Sequence, residues 1–81
     1  MAIWRIEMCK AESGYKSTAS IYNNIRDGLW TKSVHIGQRS VGWPSEDVQA
    51  INAARIAGNT DNEIRELVNR LHAKRLEPLS T

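Results

Sequence analysis

The sequence has one cysteine, two prolines and no phenylalanine among its 81 residues, and each scarcity closes off a class of answer. A lone Cys9 makes no intrachain disulfide, so the fold has no covalent staple; its neighbours favour a small buried hydrophobe. Without phenylalanine, a few large side chains must carry much of the packing. Trp30 and Trp43 are the expected core anchors, and the place of Trp4 is open. No apolar run approaches membrane-spanning length and the N-terminus has no signal-peptide core, which predicts a soluble, cytoplasmic chain without membrane contact. Catalytic chemistry is equally sparse. No nucleophile is paired with a base, no glycine-rich loop offers a phosphate cradle, and no two carboxylates are placed to share a pocket, so an enzyme is the weakest class. His35 and His72 have no Cys or acidic residue at ligand spacing, and neither a metal nor another cofactor is expected.

With 41% hydrophobic content, the chain supports one small core. A single domain is expected over residues 1–76, with a flexible tail over 77–81. The formal net charge of +2 says little by itself, but its distribution is uneven. Residues 1–40 hold Arg5, Lys10, Lys16, Arg26, Lys32 and Arg39 against Glu7, Glu12 and Asp27, while the remainder is slightly acidic. Any basic face therefore belongs to the first half.

Residues 1–5 read as an extended lead-in or a small strand. Ile6 to Glu12 has no breaker and fits a two-turn helix stopping at Ser13-Gly14. Gly14-Tyr15 reads as a tight turn, with Tyr15 free to pack between helices and Ser17 or a neighbour as the next cap. On that second helix Thr18, Ile21 and Ile25 form an inward stripe flanked by Tyr22. Ala19, Ser20, Asn23 and Arg26 stand opposite, and Gly28 ends the helix. After Leu29 the period changes to alternation. Val34 and Ile36 share one face, Val41 and Trp43 share one face, and Gly37-Gln38-Arg39-Ser40 form a hairpin tip. Pro44 suits the first turn of a third helix, with Glu46 and Asp47 at its positive end, running through Val48, Ile51 and Ile56 to Gly58. Thr60-Asp61-Asn62-Glu63 has the capping-box pattern, and Ile64, Leu67, Val68 and Leu71 follow as one apolar stripe up to about Arg75.

The order helix, turn, helix, hairpin is what a small winged reader of double-stranded DNA needs, since one helix enters the major groove while a hairpin grips neighbouring phosphates. The sequence also resembles a known family, the AlpA-like phage and prophage regulators. Ser20-Ile21-Tyr22, Ile25-Arg26-Asp27-Gly28, the run from Val34 to Trp43, and Ala53-Ala54-Arg55-Ile56-Ala57 carry the resemblance. It implies a mostly α fold with a small β-hairpin, a MerR-like, excisionase-like winged helix-turn-helix with an added C-terminal helix. The helix Ser20 to Arg26 would be the reader and the turn Gly37 to Ser40 the wing. Some members of that family regulate transcription and others direct site-specific recombination.

The DNA-contacting candidates are then Lys16, Ser17, Thr18, Ser20, Tyr22, Asn23 and Arg26 on or before the reader, Lys32 after it, and Gln38, Arg39 and Ser40 at the tip. Asn23 is the base-reading candidate, because an amide pairs bidentately with adenine; the plain alternative is an exposed helix residue. Arg39 is a phosphate or minor-groove contact against the default of a solvated charge. Partners beyond DNA stay open. The runner-up reading is a protein-interaction module binding an integrase or the transcription machinery. The Ile64 to Leu71 stripe is either core or the seal of a homodimer or cooperative assembly on DNA, and the assembly is the stated expectation.

Overall fold

The structure, a computed structural model, describes residues 2–75, so the tail expected over 77–81 lies outside the described residues. Seven elements follow in order: β1 (Ile3–Trp4), α1 (Ile6–Ser13), α2 (Thr18–Arg26), β2 (Val34–His35), β3 (Val41–Pro44), α3 (Ser45–Ile56) and α4 (Asp61–Arg75). The strands form one antiparallel sheet in the order β1-β3-β2. The lead-in is thus an edge strand, with Trp4 opposite Trp43.

Local chemistry sets the helix ends. Gly14 and Gly28 follow α1 and α2 at φ 82° and 81°, a region where a Cβ is disfavoured, so each turns the chain where the helix stops. Ser17 caps α2 through its Oγ, which accepts from the Ser20 N–H at 3.2 Å. The capping box ahead of α4 is reciprocal: Thr60 N–H donates to Glu63 Oε1 at 2.7 Å, and Glu63 N–H to Thr60 Oγ1 at 3.2 Å. Two orphan donors are satisfied at once.

Trp43 organises the interior. It is fully buried in the core with Cys9, Ile21, Trp30, Val48, Ile51, Ile64 and Val68. Its indole N–H donates to the Thr31 carbonyl at 2.9 Å, which removes the cost of burying that donor. Tyr15 packs edge-on against Trp30 at 5.9 Å, closing the α1–α2 turn over the core. Burial pushes the Cys9 thiol up to about 11.

The hairpin register divides its apolar residues between two faces. Val34 stands opposite Gly42, and His35 opposite Val41. Paired residues share a face, so Val34 and Ile36 lie on the Gly42 side while Val41 and Trp43 take the other. Gly42 is required there: a Cβ would stand 2.6 Å from Ile3 Cγ2 and 2.7 Å from Ile36 Cδ1. Ile3 and Ile36 thus meet over its bare backbone.

One expectation needs correction, and two are filled in. Pro44 is not in the first turn of α3 but ends β3, because β1 pairs with it through Ile3 and the Ser45 N–H continues the pairing to the Ala2 carbonyl at 2.8 Å. Helix α3 reaches Ile56, its last residue, as expected, and there Ile56 is 87% exposed. Five residues beyond Ile51 rotate it about 140° around the helix, and Ala54 holds the buried position instead. The α4 stripe is covered within the chain: Ile64 and Val68 are buried, and Leu67 and Leu71 pack partly buried against the same core.

Trp43→Ala should lower stability by roughly 3–5 kcal/mol, the range for deleting a large buried aromatic, a loss that thermal or urea unfolding reads directly. A cooperative melt near that of the wild type would contradict the central place of Trp43.

Candidate nucleic-acid interface

The helical pitch gathers one set of candidates on α2. At about 100° per residue, Ala19, Tyr22, Asn23 and Arg26 fall within an arc of about 100°, with Ala19 and Arg26 near its middle. All four are exposed, while Ile21 on the opposite side is buried in the core. The small Ala19 side chain leaves the α2 backbone approachable between longer neighbours. Arg26 has a mostly exposed side chain with Nε 3.5 Å from Asp27 Oδ1, an ion pair weak enough in water to exchange for a phosphate.

The remaining candidates divide by what their atoms already do. Lys16, Lys32, Gln38 and Arg39 are exposed, and among the described residues Lys16, Lys32 and Arg39 form no salt bridge. Ser17 is exposed, but its hydroxyl serves as the α2 cap. Ser20 is half-buried and turned inward of the arc. Its hydroxyl lies 3.0 Å from Ser17 Oγ, and its carbonyl accepts from Asn24 Nδ2 at 2.8 Å. Thr18 is half-buried at the helix start. The half-buried Ser40 closes the hairpin through its carbonyl, which accepts from Ile36 N–H at 2.9 Å.

Tyr22 links the two parts of this face. It is 46% exposed, yet its ring packs edge-on to the buried Trp43 ring at 6.2 Å. One edge of the phenol thus faces solvent while the other touches the central strand. The outward arc of α2 and the hairpin are thereby carried on the same side chain, so their relative placement is set by core packing.

Sequence reading missed the residues that hold this face from behind. Arg65 on α4 donates from Nε to the Asp27 carbonyl at 3.0 Å and from Nη1 to Asn62 Oδ1 at 3.1 Å. Its stem runs past Gly28, 3.5 Å from where a Cβ would stand. A cation thus sits at the negative end of α2, where the helix dipole favours it. His72 and Arg75 meet the Lys32 backbone. No periodicity marks these contacts, because they join residues about 40 positions apart and one side chain to a backbone atom.

An open groove of about 540 Å³ lies elsewhere, lined by Tyr15, Asn24, Leu29, Ile51, Asn52 and Ile56 among others, and it contains none of the sequence-predicted site residues. Among the described residues no three His, Cys, Asp or Glu side chains gather as a metal site, and no helix is long and apolar enough to cross a membrane.

A family model described as "Prophage CP4-57 regulatory protein (AlpA)" matches residues 14–56, just over half of the chain. The matched segment runs from the α1–α2 turn to the end of α3 and contains all the candidate residues named above; α4 lies beyond it. Comparison with curated proteins and with solved structures gives no match.

The Ser17 cap gives a measurement independent of any ligand. Ser17→Ala should cost about 1 kcal/mol of stability in chemical denaturation, and Ser17→Asp, which also caps, should recover most of it. Equal stability of all three proteins would show that the cap contributes nothing.

Proposed function

Because the chain belongs to the family of prophage AlpA regulatory proteins, we propose that it is a sequence-specific double-stranded DNA-binding protein of phage or prophage type. It acts as a transcriptional regulator or as an excisionase that directs recombination, and it works by binding rather than by catalysis. In this reading the fold is a winged helix-turn-helix. Helix α2 lies in the major groove, Asn23 reads a base edge, and Lys16 and Arg26 hold phosphates beside it. The hairpin is the wing, placing Gln38 and Arg39 on the adjoining backbone or minor groove.

The observation that carries the reading is the double duty of Trp43. It lies on β3 of the hairpin and packs against Tyr22 on the outward arc of α2, which places the two elements side by side. A reader helix and a wing that moved independently would spend binding energy on ordering each other. The charge pattern agrees with it. Lys16, Lys32 and Arg39 are exposed and form no salt bridge among the described residues, and the outward face of α2 carries an amide and a guanidinium. Ser17 and Ser20 support the reader helix in this scheme instead of contacting DNA with their hydroxyls, since both hydroxyls are engaged at the cap.

The test is a set of titrations of purified protein against random duplex and against a site enriched from a random pool, at several salt concentrations. Affinity should fall steeply with salt, because neutralised phosphates release counterions. No binding even at low salt would remove the proposal.

Two substitutions separate the parts. Arg39→Ala should weaken binding to both duplexes about equally and make the log–log salt slope shallower by about 1, as loss of one phosphate contact requires. Wild-type affinity with an unchanged slope would exclude Arg39 from the interface. Asn23→Ala should cost roughly 1–3 kcal/mol on the enriched site and much less on random duplex; equal losses on both would make Asn23 a backbone contact.

A further inference from the structure

The segment that leads into the hairpin is held by the far end of the chain. Lys32 lies between the buried Thr31 and strand β2, and neither of its backbone groups takes part in the sheet. Its N–H donates to His72 Nε2 at 3.1 Å, and its carbonyl accepts from Arg75 Nη1 at 2.8 Å. Arg75 is fixed in turn, because its Nη2 pairs with the buried carboxylate of Asp47 on α3. One residue earlier, the Thr31 carbonyl takes the Trp43 indole N–H. Three consecutive backbone groups ahead of the hairpin are thus bound to side chains from β3 and α4.

We propose that His72 and Arg75 are positioning residues for DNA binding, forming a clamp on the Lys32 backbone that fixes how the hairpin stands against α2 and that opens when His72 takes a proton. The proposal rests on the DNA-binding reading above. Its two residues lie outside the segment matched to the family, and neither needs to touch DNA.

The chemistry follows from the acceptor. Nε2 can accept from Lys32 only while the imidazole is neutral with its proton on Nδ1; in the imidazolium both nitrogens are donors. A protonated His72 therefore sets an N–H against the Lys32 N–H. The charged groups around it are Arg75 on its own helix, Lys32 on the hairpin lead-in and Asp47 on α3. Burial is the main cause that lowers the His72 pKa, followed by the Arg75 and Lys32 cations, with Asp47 opposing. Because the folded value lies below the unfolded one, the unfolded state binds more protons in the window between them. The clamp's stabilisation is fully present above the ordinary histidine range and is lost as pH falls through the lowered value.

That sign sets the clamp apart from simple charge. Protonating a histidine near DNA ordinarily tightens binding to phosphate, and His35, the chain's other histidine, is exposed on β2. A His35→Asn background removes that contribution. In it, affinity for a random duplex should fall roughly threefold to tenfold between about pH 7.5 and about pH 5, the scale of losing one or two such hydrogen bonds. His72→Gln, whose amide oxygen can accept from Lys32 but does not titrate, should bind like its parent at the higher pH and lose the fall at the lower one. Arg75→Met should bind more weakly at both.

A readout without DNA separates this proposal from the one it rests on. In the free protein at one pH, the Lys32 amide should exchange with solvent several-fold faster in His72→Ala than in the wild type, and His72→Gln should restore the slow rate. Absence of salt-dependent DNA binding in the wild type at the higher pH would defeat the DNA reading, while the exchange data would still judge the clamp. An equal fall of affinity with pH in His72→Gln and its parent would overturn the proposal. So would a Lys32 amide whose exchange is indifferent to His72.

Discussion

Burial of the Trp43 indole, with its N–H given to the Thr31 carbonyl, is the constraint on which the other placements rest. The ring sits on the central strand, so both β1 and β2 take their register from the strand that carries it. It meets Tyr22 on one helix and shares the core with Val48 and Ile51 of another. In a chain without phenylalanine, Trp30 is the other large aromatic buried in that core. The hydrogen bond matters as much as the area. It ties the segment after α2 to the strand after the hairpin tip, and so closes the loop within which Lys32 and Arg39 are displayed.

Much of the fold was legible because its signals are local. Gly14 and Gly28 mark helix ends by backbone geometry, the Thr60 to Glu63 box by reciprocal hydrogen bonds, and the outward set on α2 by helical spacing. Each depends on residues within one or two turns. Pro44 is the exception, because a pattern read along the chain does not reveal when a distant strand will claim a residue. The stripe on α4 was readable as apolar but not as to what covers it, since intrachain and interchain burial leave the same spacing.

The candidate site divides similarly. Asn23, Arg26 and Arg39 stand exposed, as their positions in the pattern implied. Ser17 and Ser20 carry a residue type that serves both caps and interfaces, and composition alone does not separate the uses. Arg65, His72 and Arg75 gave no sequence signal of their role, because an ordinary charged residue in the last helix looks the same whether it faces water or reaches back to the backbone of another element. Helix α4 thus acts as a brace behind the matched family segment, contacting the end of α2 through Arg65 and the hairpin lead-in through the last turn.

The buried thiol of Cys9 bears on how the molecule meets an oxidant. With its pKa pushed up to about 11 by burial, the group stays a thiol at neutral pH, and its sulfur is shielded by the core. Thiol-directed alkylating reagents therefore find Cys9 inert on the folded chain. A cysteine introduced at the hairpin tip or on the outward arc of α2 would be the one accessible thiol among the described residues. The native residue then needs no removal, and a label placed on either element reports from that position alone.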